Sequence, residues 1–251
     1  MSKIIGVVSG KGGVGKTTFS INLAAALSEF GQESIVIDLD VQNPNISLQL
    51  GIPPMPLTLQ DALEGNVKIN HSIFYHPVGL KVIPSSIAMV DKKREHDLSK
   101  LKKILRELDD IIILDSPPGM DNTVKSVIDC SDMVMVVTNP EIPAVTDALK
   151  VIKLAKEMRK DNIGVILNRV RDDTYELTSD EVELMCEVPI ISRISEDPNI
   201  RKASFENMPL IHKNDLSKAS IDFKYLAARL LRKEYEPPNL LFLRRLLKFR
   251  D

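Results

Sequence analysis

The stretch VVSGKGGVGKTT, Val7 to Thr18, decides the fold. An apolar run breaks into a glycine-rich turn, and a segment of helical periodicity follows at once. Gly10 to Thr17 satisfies the spacing G-x-x-x-x-G-K-[ST] in the setting that pattern requires, after a strand and at the start of a helix. The glycines let backbone N–H groups converge on a phosphate anion. The helix start adds its partial positive charge. Lys16 is expected at the β- and γ-phosphates, and the Thr17 hydroxyl is expected on Mg²⁺. Gly10, Lys11, Gly12, Gly13, Val14, Gly15, Lys16, Thr17 and Thr18 thus form the candidate nucleotide cradle. The pattern does not require Lys11. On spacing alone it is either a second cation near the same triphosphate or a solvated surface lysine.

Outward from the loop, short apolar runs alternate with helical patterns. Ile4–Ser9, Ser34–Asp38, Lys81–Pro84, Asp110–Asp115, Met133–Thr138, Ile163–Leu167 and Pro189–Ile194 read as strands. They are continuously apolar, as strands buried on both faces should be. Helices are expected over Thr17–Phe30, Thr58–Glu64, Asp97–Leu108, Ala144–Lys160, Ser179–Cys186, Asp197–Phe205 and Ser217–Lys233. The alternation predicts an α/β fold, a mostly parallel twisted sheet with helices on both faces. With 43% hydrophobic residues in 251, the chain can bury a core of that size. Its net charge of -2 gives no reason to expect wholesale wrapping of nucleic acid.

Carboxylates come next. "SIVIDLDVQNPN" puts Asp38 at a strand end and Asp40 two residues on, turned to the same side at the carboxyl edge of the sheet. Strand-end caps are the plainer alternative. "DDIIILDSPPG" ends an apolar strand in Asp115, where a carboxylate can hold Mg²⁺ directly or through water. "VILNRV" ends another strand with Asn168 and Arg169. The Asn amide can both donate to and accept from a purine edge.

"KGGVGKTT" resembles the deviant Walker A motif of the MinD/ParA superfamily of P-loop ATPases, and most closely its MinD branch. The resemblance implies the three-layer P-loop NTPase fold over residues 1–234, with ATP and Mg²⁺ as cofactors. It implies that Lys11 acts in trans, on the phosphates of a second subunit in an ATP-bound homodimer. Asp40 would orient the attacking water, with Asp38 near the Mg²⁺ shell. Ser116-Pro117-Pro118-Gly119 is similar to the second switch of the family, with Pro118 where alanine is common. Asn168 would read adenine. "ISEDPNIRKA", residues 194–203, resembles the family segment that packs near the base, although Ser195 stands where proline is usual. The candidate catalytic residues are therefore Lys11, Lys16 and Asp40, the nucleotide ligands the loop with Asn168 and Arg169, and the metal ligands Thr17, Asp38 and Asp115.

Two prolines in "EYEPPN" mark a linker at 235–239, and "NLLFLRRLLKFRD" follows. On a helical wheel Leu240, Phe242, Leu243, Leu246, Leu247 and Phe249 share one side, with Arg244, Arg245 and Lys248 opposite. Residues 240–251 are expected to form an amphipathic helix lying in an anionic membrane interface, as in the MinD proteins that the tail resembles, with a C-terminal helix packed on its own domain as the plainer alternative. The expected location is cytoplasmic, peripheral on the inner face of the cell membrane. The protein activator or cargo is not named by the sequence. A partition ATPase of ParA type would instead need a DNA-binding patch, for which Lys92, Lys93, Arg94, Lys100, Lys102 and Lys103 are candidates. Glu95, Asp97 and Glu107 dilute that charge, so nucleic acid is the unfavoured partner. A flagellar- or chemotaxis-positioning ATPase is the other alternative. Cys130 and Cys186 stand alone, which argues against a cluster or a disulfide framework. The four histidines have no metal-ligand spacing.

Overall fold

In a computed structural model, whose described residues are 3–41, 43–85 and 98–238, the strand that precedes the glycine turn lies near the middle of the sheet. This strand, β1 (Ile4–Val8), is buried at every position. It pairs in parallel with β5 (Ile111–Asp115) on one side and β6 (Met133–Thr138) on the other. Beyond β5 come β2 (Ser34–Asp38) and β4 (Lys81–Ile83), and beyond β6 come β7 (Ile163–Val170) and β8 (Ile190–Ser195), all parallel. A two-residue strand, β3 (Phe74–Tyr75), adds an antiparallel edge on β4. The sheet thus has eight strands in the order β3-β4-β2-β5-β1-β6-β7-β8. With helices on both faces, this is the three-layer P-loop NTPase fold expected from the alternation.

The order has a chemical consequence. Asp38 and Asp115 are register partners at the ends of β2 and β5, and Val7 of β1 pairs with Asp115. Two carboxylates therefore reach the carboxyl edge of the sheet beside the strand that feeds the glycine turn. Ligands of open parallel sheets bind at that edge.

Each face of the sheet carries its own apolar layer. One packs α1 (Lys16–Glu29) and α10 (Lys218–Leu231), built around Leu23, Leu27, Phe19 and Phe223. The Phe19 and Phe223 rings sit 5.7 Å apart. The other packs α3 (Leu59–Glu64), α4 (Leu101–Leu105), α5 (Asn122–Cys130), α6 (Ile142–Glu157) and α7 (Ser179–Cys186). Local chemistry sets the ends. α3 and α7 open with capping boxes, Thr58 with Asp61 and Thr178 with Glu181. α10 is capped by Ser217, whose hydroxyl accepts from the Ser220 N–H.

The β8 edge of the sheet is closed by side chains of α10. The Ser195 N–H and hydroxyl both donate to Asp222, at 2.9 and 2.7 Å, and Arg229 donates to the Ile191 carbonyl at 2.8 Å. Asp222 and Arg229 lie about two helical turns apart, so one face of α10 tiles the edge.

Several elements differ from expectation. β3, α2 (Ile46–Leu50), α5 and α9 (Leu210–Lys213) carry no strong pattern in the sequence. The helix expected over Asp97–Leu108 is a tight turn over Leu98–Lys100 followed by the short α4. α6 begins at Ile142, ahead of the expected Ala144, because Pro143 belongs to its first turn. α8 (Asn199–Phe205) starts later than Asp197, whose carboxylate instead accepts from the Asn199 N–H. After α10 the chain stays on the domain as far as Tyr235, which packs edge-on against Phe30 and Tyr225. The predicted amphipathic helix at 240–251 and the basic residues Lys92, Lys93 and Arg94 lie outside the described residues.

Candidate nucleotide-binding site

The turn from β1 to α1 places its groups by glycine geometry. Gly15, at φ 94°, stands immediately before α1, and a Cβ there would lie 2.6 Å from the Asn168 amide nitrogen. A Cβ on Gly10 would lie 2.2 Å from the Asp147 carbonyl oxygen in α6. The loop is thus held from both sides, by the Asn168 side chain and by the α6 backbone, in close approaches that a Cβ would block. Asn168, at the end of β7, donates to the Val14 carbonyl at 2.7 Å.

Lys16 is nearly buried, and its ammonium donates to the Ser9 hydroxyl at 2.7 Å. Burial lowers its pKa, while the nearby Asp115 and Asp40 carboxylates raise it. The Thr17 hydroxyl donates to Asp115 at 2.7 Å, and Ser20, one turn on along α1, donates to the other Asp115 oxygen at 3.1 Å. Asp115 is fully buried. Desolvation pushes its pKa up to about 6, against the pull of Thr17, Lys16 and Ser20. Burial also raises the pKa of Asp40. Asp38 is raised well above the ordinary carboxylate range, first by burial and then by Asp115. Three carboxylates thus gather at one sheet edge, and two of them, Asp115 and Asp40, feel the single buried lysine there.

This surplus of negative charge suits a divalent cation. Among the described residues no group of three His, Cys, Asp or Glu side chains is gathered into a metal cage. A hydroxyl and a carboxylate in contact, Thr17 and Asp115, match the needs of Mg²⁺, which completes its shell with water and phosphate oxygens. Bound there, Mg²⁺ would neutralise charge on the phosphates. Asp38 is placed otherwise. Its two oxygens accept from the Asp40 N–H at 3.0 Å and the Ile46 N–H at 3.2 Å. It fixes the backbone that presents Asp40 and starts α2. Asp40 accepts from the Asn43 N–H and stays close enough to Lys16 to feel its charge.

The segment after Asp115 is stitched to the loop. The Ser116 N–H donates to the Val7 carbonyl at 3.2 Å and the Gly119 N–H to the Ser9 carbonyl at 2.9 Å. Asp121 then caps α5, accepting from the Val124 N–H. Lys11 is half exposed, 4.0 Å from Glu141 at the start of α6.

A family model described as the CobQ/CobB/MinD/ParA nucleotide binding domain matches residues 5–210, from β1 through the start of α9. The chain belongs to that family. An uncharacterized ATP-binding protein of Methanocaldococcus jannaschii is 38% identical over 239 residues, covering 94% of this chain and 90% of its own. Among solved structures, the septum site-determining protein MinD of Pyrococcus horikoshii, complexed with Mg-ADP, is similar at a TM-score of 0.82 and 33% identity. That match covers 92% of this chain and 96% of the other. The MinC:MinD cell division protein complex of Aquifex aeolicus contains a chain similar at a TM-score of 0.83 and 27% identity, covering 95% and 99%.

Within this member of the CobQ/CobB/MinD/ParA family, the expected loop residues, Asp40, Asp115 and Asn168 converge at one edge. Lys11 and Arg169 stand at its rim, with Arg169 3.9 Å from Glu196. Sequence reasoning missed Ser9, Ser20 and Asp121. Ser20 carries a usable signal, since it lies three residues after Thr17 and so shares its helix face. Asp121 carries one as well, an N-cap carboxylate three residues before Val124, whereas Ser9 carries none, because its bonds to Lys16 and Gly119 depend on the path of the turn and on the tertiary fold.

Proposed function

We propose that this chain is an ATP hydrolase that pairs with a second copy when ATP is bound. In that state it attaches reversibly to the anionic inner face of the cell membrane through residues 240–251. There it positions partner proteins, at the division site or a comparable structure. The observation that carries the reading is the convergence of Lys16, Thr17, Asp40 and Asp115 on one glycine turn, with Lys11 exposed at its rim.

The roles follow from position. Lys16 meets the β- and γ-phosphates. Thr17 and Asp115 hold Mg²⁺, and Asp38 braces the loop that carries Asp40. Asp40 orients the attacking water. Lys11 reaches the phosphates of the second copy, so hydrolysis waits on pairing. Two relatives support this: one carries Mg-ADP in its name, and the other is a cell division complex.

The attachment step rests on the amphipathic pattern of the last residues. A helix this short is marginal in water. Each basic residue near an anionic leaflet contributes about 1 kcal/mol. One tail therefore binds weakly, and two on a paired molecule gain a factor on the order of 10²–10⁴. Co-sedimentation with anionic vesicles tests this. Full-length protein should pellet with ATP and not with ADP, and a chain lacking residues 239–251 should stay in solution with either. Equal pelleting with both nucleotides defeats the proposal, as does retention on non-specific DNA at moderate salt without vesicle binding.

A further inference from the structure

Lys16 is nearly buried, yet the group that meets its ammonium is neutral. Ser9, fully buried as the first residue after β1, accepts from the ammonium at 2.7 Å. The same hydroxyl donates to the Lys11 carbonyl at 2.8 Å. A hydroxyl has one proton to give. With that proton committed to Lys11, only lone pairs are left to face Lys16, so the path of the turn fixes the polarity of the contact. The Ser9 carbonyl accepts from the Gly119 N–H at 2.9 Å, which pins the residue from another side. Opposite charge is near and stays out of contact. Asp115 and Asp40 lie close enough to favour the charged form of Lys16. Among the described residues, however, no carboxylate comes within 4.0 Å of its ammonium. Both Asp115 oxygens accept from hydroxyls instead, those of Thr17 at 2.7 Å and Ser20 at 3.1 Å. A buried ammonium beside a buried carboxylate is drawn into an ion pair unless other polar groups satisfy each of them. Ser9 satisfies the ammonium without cancelling its charge.

We propose that Ser9 is a positioning residue that keeps the Lys16 ammonium apart from Asp115. Lys16 is thereby presented to phosphate as an unpaired cation, and the Asp115 carboxylate is kept for Mg²⁺. The inference rests on the nucleotide site proposed above and adds to it a residue that lies outside the G-x-x-x-x-G-K-[ST] pattern. Without the hydroxyl, Lys16 pairs with Asp115, and a nucleotide has to break that pair in order to bind.

The test is a double-mutant cycle on the full chain, with ADP in EDTA as the probe, titrated calorimetrically alongside thermal melts. Metal is left out so that loss of an Mg²⁺ ligand at Asp115 does not enter the comparison. Ser9→Ala should weaken ADP binding about tenfold. It should melt no lower than wild type without nucleotide, because an ion pair replaces the lost hydrogen bond. Asp115→Asn removes the charge that draws Lys16 away. In that background Ser9→Ala should change ADP affinity by no more than about twofold. A tenfold loss that persists in the Asp115→Asn background overturns the inference, because Ser9 would then act on the loop and not on the pair. Unchanged ADP affinity in Ser9→Ala overturns it too, as does a Ser9→Ala chain that melts well below wild type, since Ser9 would then be holding the turn itself. Wild-type binding of ADP only when Mg²⁺ is present also overturns it, because Lys16 would not then be presented as an unpaired cation. A wild-type chain that binds ADP under neither condition overturns the nucleotide site instead, and is thereby told apart from a failure at Ser9.

Discussion

Asp115 is a residue on which folding and chemistry disagree. Its carboxyl is fully buried and its pKa is pushed up to about 6, against an ordinary value of 3.8. A carboxylate whose pKa is higher in the folded than in the unfolded chain stabilises the fold below the unfolded value. That stabilisation is lost as pH rises through the folded one. The nucleotide-free protein should therefore lose stability between about pH 4 and pH 6, by up to about 3 kcal/mol from Asp115 alone. Chemical denaturation across that range checks the slope. Asp115→Asn should melt higher than wild type at pH 7.5 without nucleotide, and should lose the stabilisation that Mg²⁺ and nucleotide together give. A lower melting temperature for the variant would mean that Thr17 and Ser20 stabilise the charged form more than burial penalises it. At this scale the sequence was largely legible, since Asp115 ends an apolar strand and Lys16 sits at a fixed offset from the glycines. Ser9 was not, because its role as acceptor for Lys16 depends on the path of the turn rather than on any spacing.

Among the elements, the loop between β1 and α1 makes sharply different demands on its glycines. Gly10 lies against the backbone of α6, so Gly10→Ala forces two elements apart and should destabilise the fold by about 2–3 kcal/mol. Gly12 has nothing nearer than Pro118 at 3.8 Å, so Gly12→Ala should fold with stability within about 0.5 kcal/mol of wild type. Urea unfolding of both separates the two cases. The edge of β8 gives a second prediction. Asp222→Ala leaves the Ser195 N–H without its acceptor and should cost about 1–3 kcal/mol. Combined with Arg229→Ala it should also promote concentration-dependent association, measurable by light scattering, because an uncapped edge recruits strands. Long buried strands and capped helices were readable in advance: β2, β6 and α7 coincide with their expected spans. The elements that were not foreseen are short or depend on distant partners. β3 has two residues and exists because β4 lies beside it. α2 begins where the Ile46 N–H meets the carboxylate of Asp38, eight positions back and far below the reach of a helical pattern.

For the whole molecule, the proposed pairing makes one residue answer for two subunits. Lys11→Ala should lower ATP turnover by roughly 10³-fold while nucleotide affinity stays within about twofold, since a lysine acting on the second copy adds little to binding in its own. Steady-state hydrolysis and direct titration of the same preparation check both halves. Equal loss of turnover and affinity would place Lys11 in its own site and remove the reason for pairing. The described chain leaves the domain beside Phe30, where Tyr235 is packed. Phe30 closes α1 at the end opposite Lys16, about 20 Å away along the helix axis. Under the proposed pairing, a phosphate lost at one end of that rod need not be felt along it to free what is anchored at the other. Grip on a surface would then be a matter of headcount, with two footholds per coupled unit and one after uncoupling. Crowding of molecules on that surface would govern residence time as strongly as the clock of hydrolysis.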